Sequence, residues 1–355
     1  MNTAINERIV NWIVKRAEKE YADDIAMVLA YGSFINGTAN AKSDVDCYFI
    51  PKTERGYQFS VDFILNGVGY DIFPMSWERV ENISNLKEAI LPCVGDAKVL
   101  FYSTNEDLEK FNGLKNKMFS NLQDGQYTKK IAKEKFTFAC NLYARMKTCH
   151  QLSDVRTYAG YIIMTLADAV AVYNQAYFHF GLKKQYEDLQ KFKLMPQGFI
   201  EDYLSVIKAE SAVESQYYCD RMLKSVGCDM GWKFTAENKI EEKNNKNNKP
   251  LDCAGLAAFY EEESSTFNKI YVCCEEQNGV LAFLSAACLQ HGLKEVYKEN
   301  NIPYYDIIGA FCYDNLSLLA ERARKVEAHF VQTLINGGGN IKRFSDFEDF
   351  EKTIL

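Results

Sequence analysis

The sequence lacks the patterns on which several kinds of protein chemistry depend. Its eleven cysteines include no CxxC pair and no spacing typical of a zinc site. Its four histidines share no motif, and they are His150, His179, His291 and His329. We therefore expect neither a zinc-thiolate site nor a mechanism that depends on imidazole.

Clustered positive charge is also scarce. The 355 residues carry a formal net charge of −7. Lys183 and Lys184 are only a pair, and the lysines at 239–249 alternate with Glu and Asn. A duplex-binding protein commonly neutralises ~6–10 phosphates with a basic stripe, and no such stripe is visible. A nucleic-acid partner is therefore not expected, and a small, cationic molecule suits the charge better.

Long hydrophobic runs and an export signal are missing as well. The longest apolar stretch, at residues 161–173, is interrupted by Asp168 and is too short to span a bilayer. The first 21 residues have the pattern of an amphipathic helix and not of a signal peptide. Free thiols without an export signal predict a location in the reducing cytoplasm.

The first third of the chain alternates between helical and strand patterns. Residues 3–22 read as a helix, and Asn66-Gly67 predicts a tight hairpin between two strands. Ser76 has the position of a helix N-cap. The predicted strands are at 25–31, 45–51, 59–65, 69–75 and 97–102. This pattern predicts an α+β domain over residues 1–120, with a small mixed sheet and flanking helices.

The remainder of the chain has apolar residues at three- and four-residue spacing, which is typical of long helices. We expect an all-helical domain over residues 121–355 that binds the substrate, with a polar linker at 237–250. The predicted helices are at 129–152, 155–180, 199–225, 251–277, 280–291 and 316–335.

The stretch YGSFINGTANAKSDVDCYFI, residues 31–50, is the most informative part of the sequence. Gly32 lets a ligand approach the backbone, and Ser33 offers a hydroxyl and an amide to phosphate oxygens. Asp44 and Asp46 lie two residues apart at the start of a strand, so both face one side. Two carboxylates that close repel each other unless a cation lies between them, and Mg²⁺ is the usual one.

A third carboxylate follows in the strand GYDIFPM. Asp71 lies there, and neighbouring strands are only ~4.8 Å apart. Asp62 is the alternative, and we prefer Asp71 because its strand returns toward the centre of the sheet. Three carboxylates around one or two divalent ions form the arrangement that phosphoryl transfer requires.

Each of these features also has an ordinary structural explanation. A Gly-Ser pair is usually a turn, and an SDxD run often caps a strand with an Asx turn. Asp168 interrupts an otherwise apolar helix, and a hydrogen-bonded or solvent-facing position is the more common explanation for such a residue. Lys183, Lys184 and Lys42 could pair with a triphosphate or simply be solvated.

Taken together, these residues give the sequence a resemblance to a known superfamily. The run at 31–50, followed by YDIF, resembles the DNA polymerase β-like nucleotidyltransferases. The helical second half is similar to that of the antibiotic nucleotidyltransferases, typified by aminoglycoside adenylyltransferases. In this group a homodimer would be unsurprising.

The resemblance implies particular roles for residues of this chain. Gly32 and Ser33, with Lys42 and Ser43 beside them, would bind the nucleotide. Asp44, Asp46 and Asp71 would be catalytic and would hold Mg²⁺, with two ions expected. The reaction would transfer a nucleoside monophosphate, AMP from ATP or that of another NTP, to a hydroxyl and release pyrophosphate. The general base near that hydroxyl would be Asp71 itself or an acid of the helical domain such as Asp168.

Three hypotheses stay open at this point. The acceptor is a small molecule, plausibly an aminoglycoside-like antibiotic; or it is a protein hydroxyl or an RNA end; or the protein binds nucleotide without turnover. All three aspartates are present, so nothing in the sequence favours a loss of activity.

Overall fold

The computed structural model describes residues 2–40, 42–234, 251–300 and 302–354. The linker predicted at 237–250 lies outside these ranges. Within them, six strands form one mixed sheet in the order β5-β1-β2-β4-β3-β6. The strands are β1 Ile25–Tyr31, β2 Asp46–Pro51, β3 Val61–Leu65, β4 Val68–Pro74, β5 Lys98–Tyr102 and β6 Arg343–Phe344.

Helices cover the sheet and, with the loops that join them, form the rest of the described structure. They are α1 Asn2–Glu20, α2 Gly32–Ile35, α3 Trp77–Ser84, α4 Pro92–Gly95, α5 Asn105–Gln123, α6 Gly125–Met146, α7 Leu152–Tyr173, α8 Gln185–Leu189, α9 Phe199–Lys208, α10 Ala212–Asp229, α11 Cys253–Glu275, α12 Gly279–Glu299, α13 Ser317–Asn336 and α14 Phe347–Ile354. The architecture is thus a mixed sheet with flanking helices and a helical region, as expected.

Local sequence signals place the N-terminal elements correctly. The two residues Asn66 and Gly67 both have positive φ, 52° and 74°, and join β3 to β4. Such a turn matches the twist of a hairpin, and Asn-Gly tolerates it best. The hydroxyl of Ser76 accepts a hydrogen bond from the amide of Arg79, which confirms the predicted N-cap.

The long predicted helices differ from the structure mainly at their ends. The segment expected at 199–225 is two helices, because Ser211 and Glu214 form a capping box that starts α10. The helix expected at 155–180 ends at Tyr173, and Gln175 just beyond it has a left-handed φ of 57°. The helix expected at 280–291 continues to Glu299.

The C-terminal end returns to the sheet, a feature that helical periodicity did not indicate. Strand β6 pairs in parallel with β3, and α14 follows it. Phe350 is fully buried and packs edge-on against Trp12 of α1, with ring centroids 4.9 Å apart. In the region predicted as all-helical, β6 therefore extends the sheet, and α14 packs in the hydrophobic core on one face of it. The division into two domains near residue 120 stays a prediction.

Helix α7 is long and apolar enough to cross a membrane, but 78% of its apolar window is buried within the protein. It packs against α6, α10 and α12. This burial is typical of the central helix of a soluble fold, while the cytoplasmic location stays a prediction.

Candidate active site

The Gly-Ser turn lies directly against one of the predicted aspartates. Strand β1 ends at Tyr31, whose partner across the ladder in β2 is Asp46. Gly32 has a φ of +72°, and a Cβ at this position would collide with Oδ2 of Asp46. The amide of Ser33 donates a hydrogen bond to the same carboxylate. Glycine is therefore required here for both its conformation and its lack of a side chain.

The loop that carries the aspartates is fixed from below by α1. Asn6 is fully buried, and its amide nitrogen donates to the backbone oxygens of Ser43 and Asp44 at 3.1 and 3.3 Å. Its Oδ1 accepts a hydrogen bond of 2.7 Å from Tyr70 of β4. This arrangement sets the position of the loop relative to the sheet.

Asp44 and Asp46, called here the aspartate pair, are both half-buried on either side of the buried Val45. Burial and the charge of Asp46 raise the pKa of Asp44 to about 7. Burial also raises the pKa of Asp46, whereas the ammonium of Lys269 and the Ser33 amide oppose that shift. The protein thus keeps two carboxylates together at a cost in free energy.

Asp71 lies on β4, next to β2, and faces Asp62 across the β3–β4 ladder. The two carboxyls share a hydrogen bond. Burial and the contact with Asp62 raise the pKa of Asp71 to about 9, and the charge of Asp44 adds to this effect. Asp62 and Asp71, which the sequence offered as alternatives, are therefore a hydrogen-bonded pair beside the aspartate pair.

Lys42 and Ser43 belong to a polar turn next to the aspartate pair. Oδ1 of Asn40 accepts the amide of Lys42 at 2.8 Å, and the hydroxyl of Ser43 accepts the amide of Asn40 at 2.9 Å. Lys42 is exposed. Both residues line the cavity described next, and their contact with a nucleotide stays a prediction.

A cavity of about 950 Å³, called here the cleft, lies between the aspartate pair and the helical region. Gly32, Ser33, Lys42 and Ser43 lie on its turn side. The opposite wall is largely apolar and contains Phe138, Tyr161, Met164, Phe178, Phe180 and Leu281. Such a cavity is large enough for a nucleotide and part of a second molecule.

The charged residues of the cleft are balanced in number. Five are acidic, namely Asp44, Asp46, Glu134, Asp168 and Glu276, and five are lysines, namely Lys42, Lys87, Lys135, Lys183 and Lys269. Without a ligand the formal charges of the cleft therefore cancel, with two of the five acids next to each other in the aspartate pair.

Asp168 does line the cleft, but it is not free. Its carboxylate forms a 2.6 Å ion pair with Lys135, and less than a tenth of either side chain is exposed. Burial raises the pKa of Asp168, and the ammonium of Lys135 opposes the shift. The hydrogen-bonded alternative for this residue is what the structure shows.

The lysines predicted near 183 have different positions. Nζ of Lys183 donates a 2.9 Å hydrogen bond to the backbone oxygen of Thr38, so it reaches the loop after the Gly-Ser turn. Nζ of Lys184 instead lies 4.5 Å from the ring centroid of Phe180. Of these two lysines, Lys183 lines the cleft and Lys184 does not.

Lys269 of α11 is the cation that the sequence reasoning missed. Its charge lowers the pKa of both members of the aspartate pair. A signal was present, because Ser265, Asn268, Lys269 and Glu276 recur at helical spacing and together line the cleft. The stripe could not be assigned to a site until α11 was placed over β4.

The donor set at the aspartate pair suits a divalent oxygen-seeking cation. The charge of Asp46 raises the pKa of Asp44, so ionising both carboxylates is unfavourable. A cation bound between them would offset this repulsion. Over residues 2–40, 42–234, 251–300 and 302–354, however, no group of three or more His, Cys, Asp or Glu is arranged to hold a metal. The role of Asp71 as a third ligand therefore stays a prediction.

Comparison with known proteins gives little further information. No family model matches the chain, and no curated protein matches it. One similar solved structure is titled a nucleotidyltransferase-like protein from Exiguobacterium sibiricum 255-15. It is 14% identical, the match covers 62% of this chain and 76% of that chain, and the TM-score is 0.34. A similarity this low does not decide the function.

Proposed function

We propose that this protein is a metal-dependent nucleotidyltransferase that moves a nucleoside monophosphate from an NTP to a hydroxyl of a small acceptor. The observation that carries the proposal is the aspartate pair, fixed by Gly32 and Asn6 at one side of the cleft. Two carboxylates are held together against their repulsion, beside a cavity large enough for a nucleotide and part of a second molecule. ATP as the donor and release of pyrophosphate complete the proposal.

Asp44 and Asp46 would hold Mg²⁺, and Asp71 would join them once its hydrogen bond to Asp62 is exchanged. We propose two ions, as in other two-metal phosphoryl transfer sites. When bound, they supply charge neutralisation at the phosphate oxygens and acidify the attacking hydroxyl.

The residues of the chain have separate tasks in this proposal. Lys269, whose charge acts on the aspartate pair, would provide positive charge where the triphosphate would lie, and Lys183 would add a second cation from the cleft wall near Thr38. The bare backbone at Gly32 permits close approach of a phosphate, and the hydroxyl of Ser33 can donate to it. The hydroxyl of Ser43 would do so in exchange for its 3.2 Å hydrogen bond to Oδ1 of Asn40. The turn therefore both supports Asp46 and borders the nucleotide.

The acceptor is proposed to be a small hydroxylated molecule. The apolar wall of Phe138, Met164 and Phe178 offers contact area, and an aminoglycoside-like antibiotic is the first candidate because of the resemblance in sequence. Equal numbers of acids and lysines in the cleft make neutral hydroxylated compounds the second group to test. A balanced cleft gives a polycation less attraction than an acidic one would.

The test is release of pyrophosphate by the purified chain with Mg²⁺, each of the four NTPs labelled at the α-phosphate, and a panel of acceptors. We expect one acceptor to gain the label, and Asp44→Asn or Asp46→Asn to lower turnover by orders of magnitude without unfolding. Asp23→Asn is the matched control and should keep full activity, because Asp23 is an exposed carboxylate in the turn between α1 and β1.

Other outcomes separate the alternatives. Full activity in Asp46→Asn would contradict the mechanism. Label on a protein or an RNA end would change the acceptor but keep the reaction. Binding of Mg·ATP in calorimetry, with no pyrophosphate release for any acceptor, would support a nucleotide-binding protein without turnover.

A further inference from the structure

His179 lies on the wall of the cleft and forms a hydrogen-bonded group with Asp96 and Tyr177, and none of the three has a role in the reaction proposed above. Its Nδ1 lies 2.9 Å from Oδ2 of Asp96, the residue that follows α4. Asp96 also accepts a 2.9 Å hydrogen bond from the hydroxyl of Tyr177. The ring of Tyr177 lies beside the imidazole, with centroids 4.2 Å apart. Asp96 and Tyr177 together fix the orientation of the imidazole ring.

This contact also selects the tautomer of His179. In the neutral ring, Nδ1–H donates to the Asp96 carboxylate, which leaves Nε2 as the acceptor. Over the part of the chain that the structure describes, Nε2 has no hydrogen-bond partner, and 57% of the side chain is exposed. A neutral His179 therefore offers a free basic nitrogen on the side away from Asp96.

His179 and the aspartate pair line the same cleft, and two contacts connect the segments around His179 to the turn beside the pair. One turn before Asp96, Cys93 of α4 hydrogen-bonds Tyr31 and lies close enough to Asp46 to be affected by its charge. Four residues after His179, Lys183 bonds to Thr38 of the loop beyond the Gly-Ser turn. Both segments that hold the imidazole thus contact the turn that holds Asp46.

We propose that His179 is the general base that accepts the proton of the acceptor hydroxyl, and that Asp96 is its positioning residue. The inference rests on the proposed function, whose acceptor it helps to activate. As the acceptor oxygen forms its bond to the α-phosphorus, the bond from that phosphorus to the pyrophosphate oxygen breaks. Pyrophosphate leaves with the electron pair, the hydroxyl proton moves to Nε2, and it passes from there to solvent.

Asp168, the acid of the helical region that the sequence offers as a base, is less suitable for this task than His179. Asp168 is buried in its ion pair with Lys135, so accepting a proton would break a charged contact. His179 is exposed to the cleft and already carries the carboxylate partner that stabilises its protonated form. An imidazole held in this way is a common base in enzymes that act near neutral pH.

The groups around His179 predict the direction of its pH dependence. The hydrogen bond to Asp96 raises the pKa of His179, burial opposes it, and the charge of Asp188 on α8 adds to the rise. Tyr177 faces the same carboxylate, and Lys183 is the nearest cleft cation along the chain. Because a base must be deprotonated, turnover should rise with pH through this pKa. Asp96→Asn should move that rise to lower pH.

The decisive variant is His179→Asn, because its side-chain amide can still donate to Asp96 but has no basic nitrogen. His179→Ala removes both functions. His329→Asn is the matched control, since His329 packs against Tyr305 and does not line the cleft. We expect kcat to fall about 10²- to 10⁴-fold in both His179 variants, with little change in KM for the NTP.

The measurement is pyrophosphate release with the full chain, Mg·NTP and the acceptor found above, from pH 5.5 to 9. A kcat near the wild-type value in His179→Asn, with a loss only in His179→Ala, would mean that the histidine is structural and would overturn the inference. An unchanged pH profile in Asp96→Asn would also contradict it. If the wild type releases no pyrophosphate with any acceptor, the proposed function fails and this inference fails with it.

Discussion

Asp44→Asn is expected to stabilise the metal-free protein, and the gain should increase with pH. The pKa of Asp44 is about 7 in the folded chain, against 3.8 for an unperturbed aspartate. A raised folded pKa means that the folded state binds the proton more tightly than the unfolded state does. The free energy of unfolding that protonation of Asp44 contributes is therefore fully present below pH 3.8, and it is lost as the pH rises through about 7.

The size of the effect follows from linkage. One pKa unit corresponds to about 1.4 kcal/mol, so ionised Asp44 costs the fold about 4 kcal/mol above neutral pH. At pH 4.5 most of that cost is absent. Asparagine has a similar shape and no titration, so the stability advantage of the variant should grow by about 3 kcal/mol between pH 4.5 and 8.

The assay is urea unfolding followed by circular dichroism at several pH values, without metal and with Mg²⁺. Mg²⁺ should stabilise the wild type and leave Asp44→Asn unchanged, because the ion binds the pair only in the folded state. Asp23→Asn removes the same charge from an exposed position and checks for an effect of net charge alone. The reasoning would be refuted if Asp44→Asn were less stable than the wild type at pH 8 in the absence of metal.

Three further predictions concern the cleft and the core. Gly32→Ala should lose activity and stability because its Cβ collides with the side chain of Asp46. Gly37→Ala, with a similar φ of +75° and open space, should show only the milder backbone strain, and equal melting temperatures for the two variants would contradict this. Lys135→Met should cost about 3–5 kcal/mol in urea unfolding by leaving Asp168 buried without a partner, and adding Asp168→Leu should recover most of it. Phe350→Ala should cost about 3–5 kcal/mol, and a loss below about 1 kcal/mol would show that the C-terminal segment is not part of the core.

The local parts of the fold were predictable because neighbouring residues specify them. The Asn66-Gly67 hairpin, the Ser76 cap and the strand that ends at Tyr31 follow from backbone preferences and from side chains a few residues away. Helix ends were less predictable. The capping box at Ser211 competes with an apolar pattern that continues through it, and the local hydrogen bonds prevail.

In the candidate site, too, local features were predictable from the sequence and contacts between distant residues were not. The two-residue spacing of Asp44 and Asp46 indicates a shared side because strand side chains alternate, and the structure does place the two carboxylates close enough to affect each other. The pairing of Asp71 with Asp62 was not predictable, since it depends on the register of the hairpin. That register brings together two carboxyls that sequence reasoning had treated as alternatives.

The amino-acid sequence indicates which residues have the chemistry to bind phosphate or metal, because glycine, serine and paired carboxylates have it wherever they lie. Their surroundings depend on how distant segments pack together. Lys269 reaches the aspartate pair because α11 packs over the sheet, and His179 bonds to Asp96, 83 residues earlier, because the segment after α7 lies beside the end of α4. Helical periodicity shows which face of a helix is buried, but not which partner covers it, and that partner sets the charge and pKa of the site.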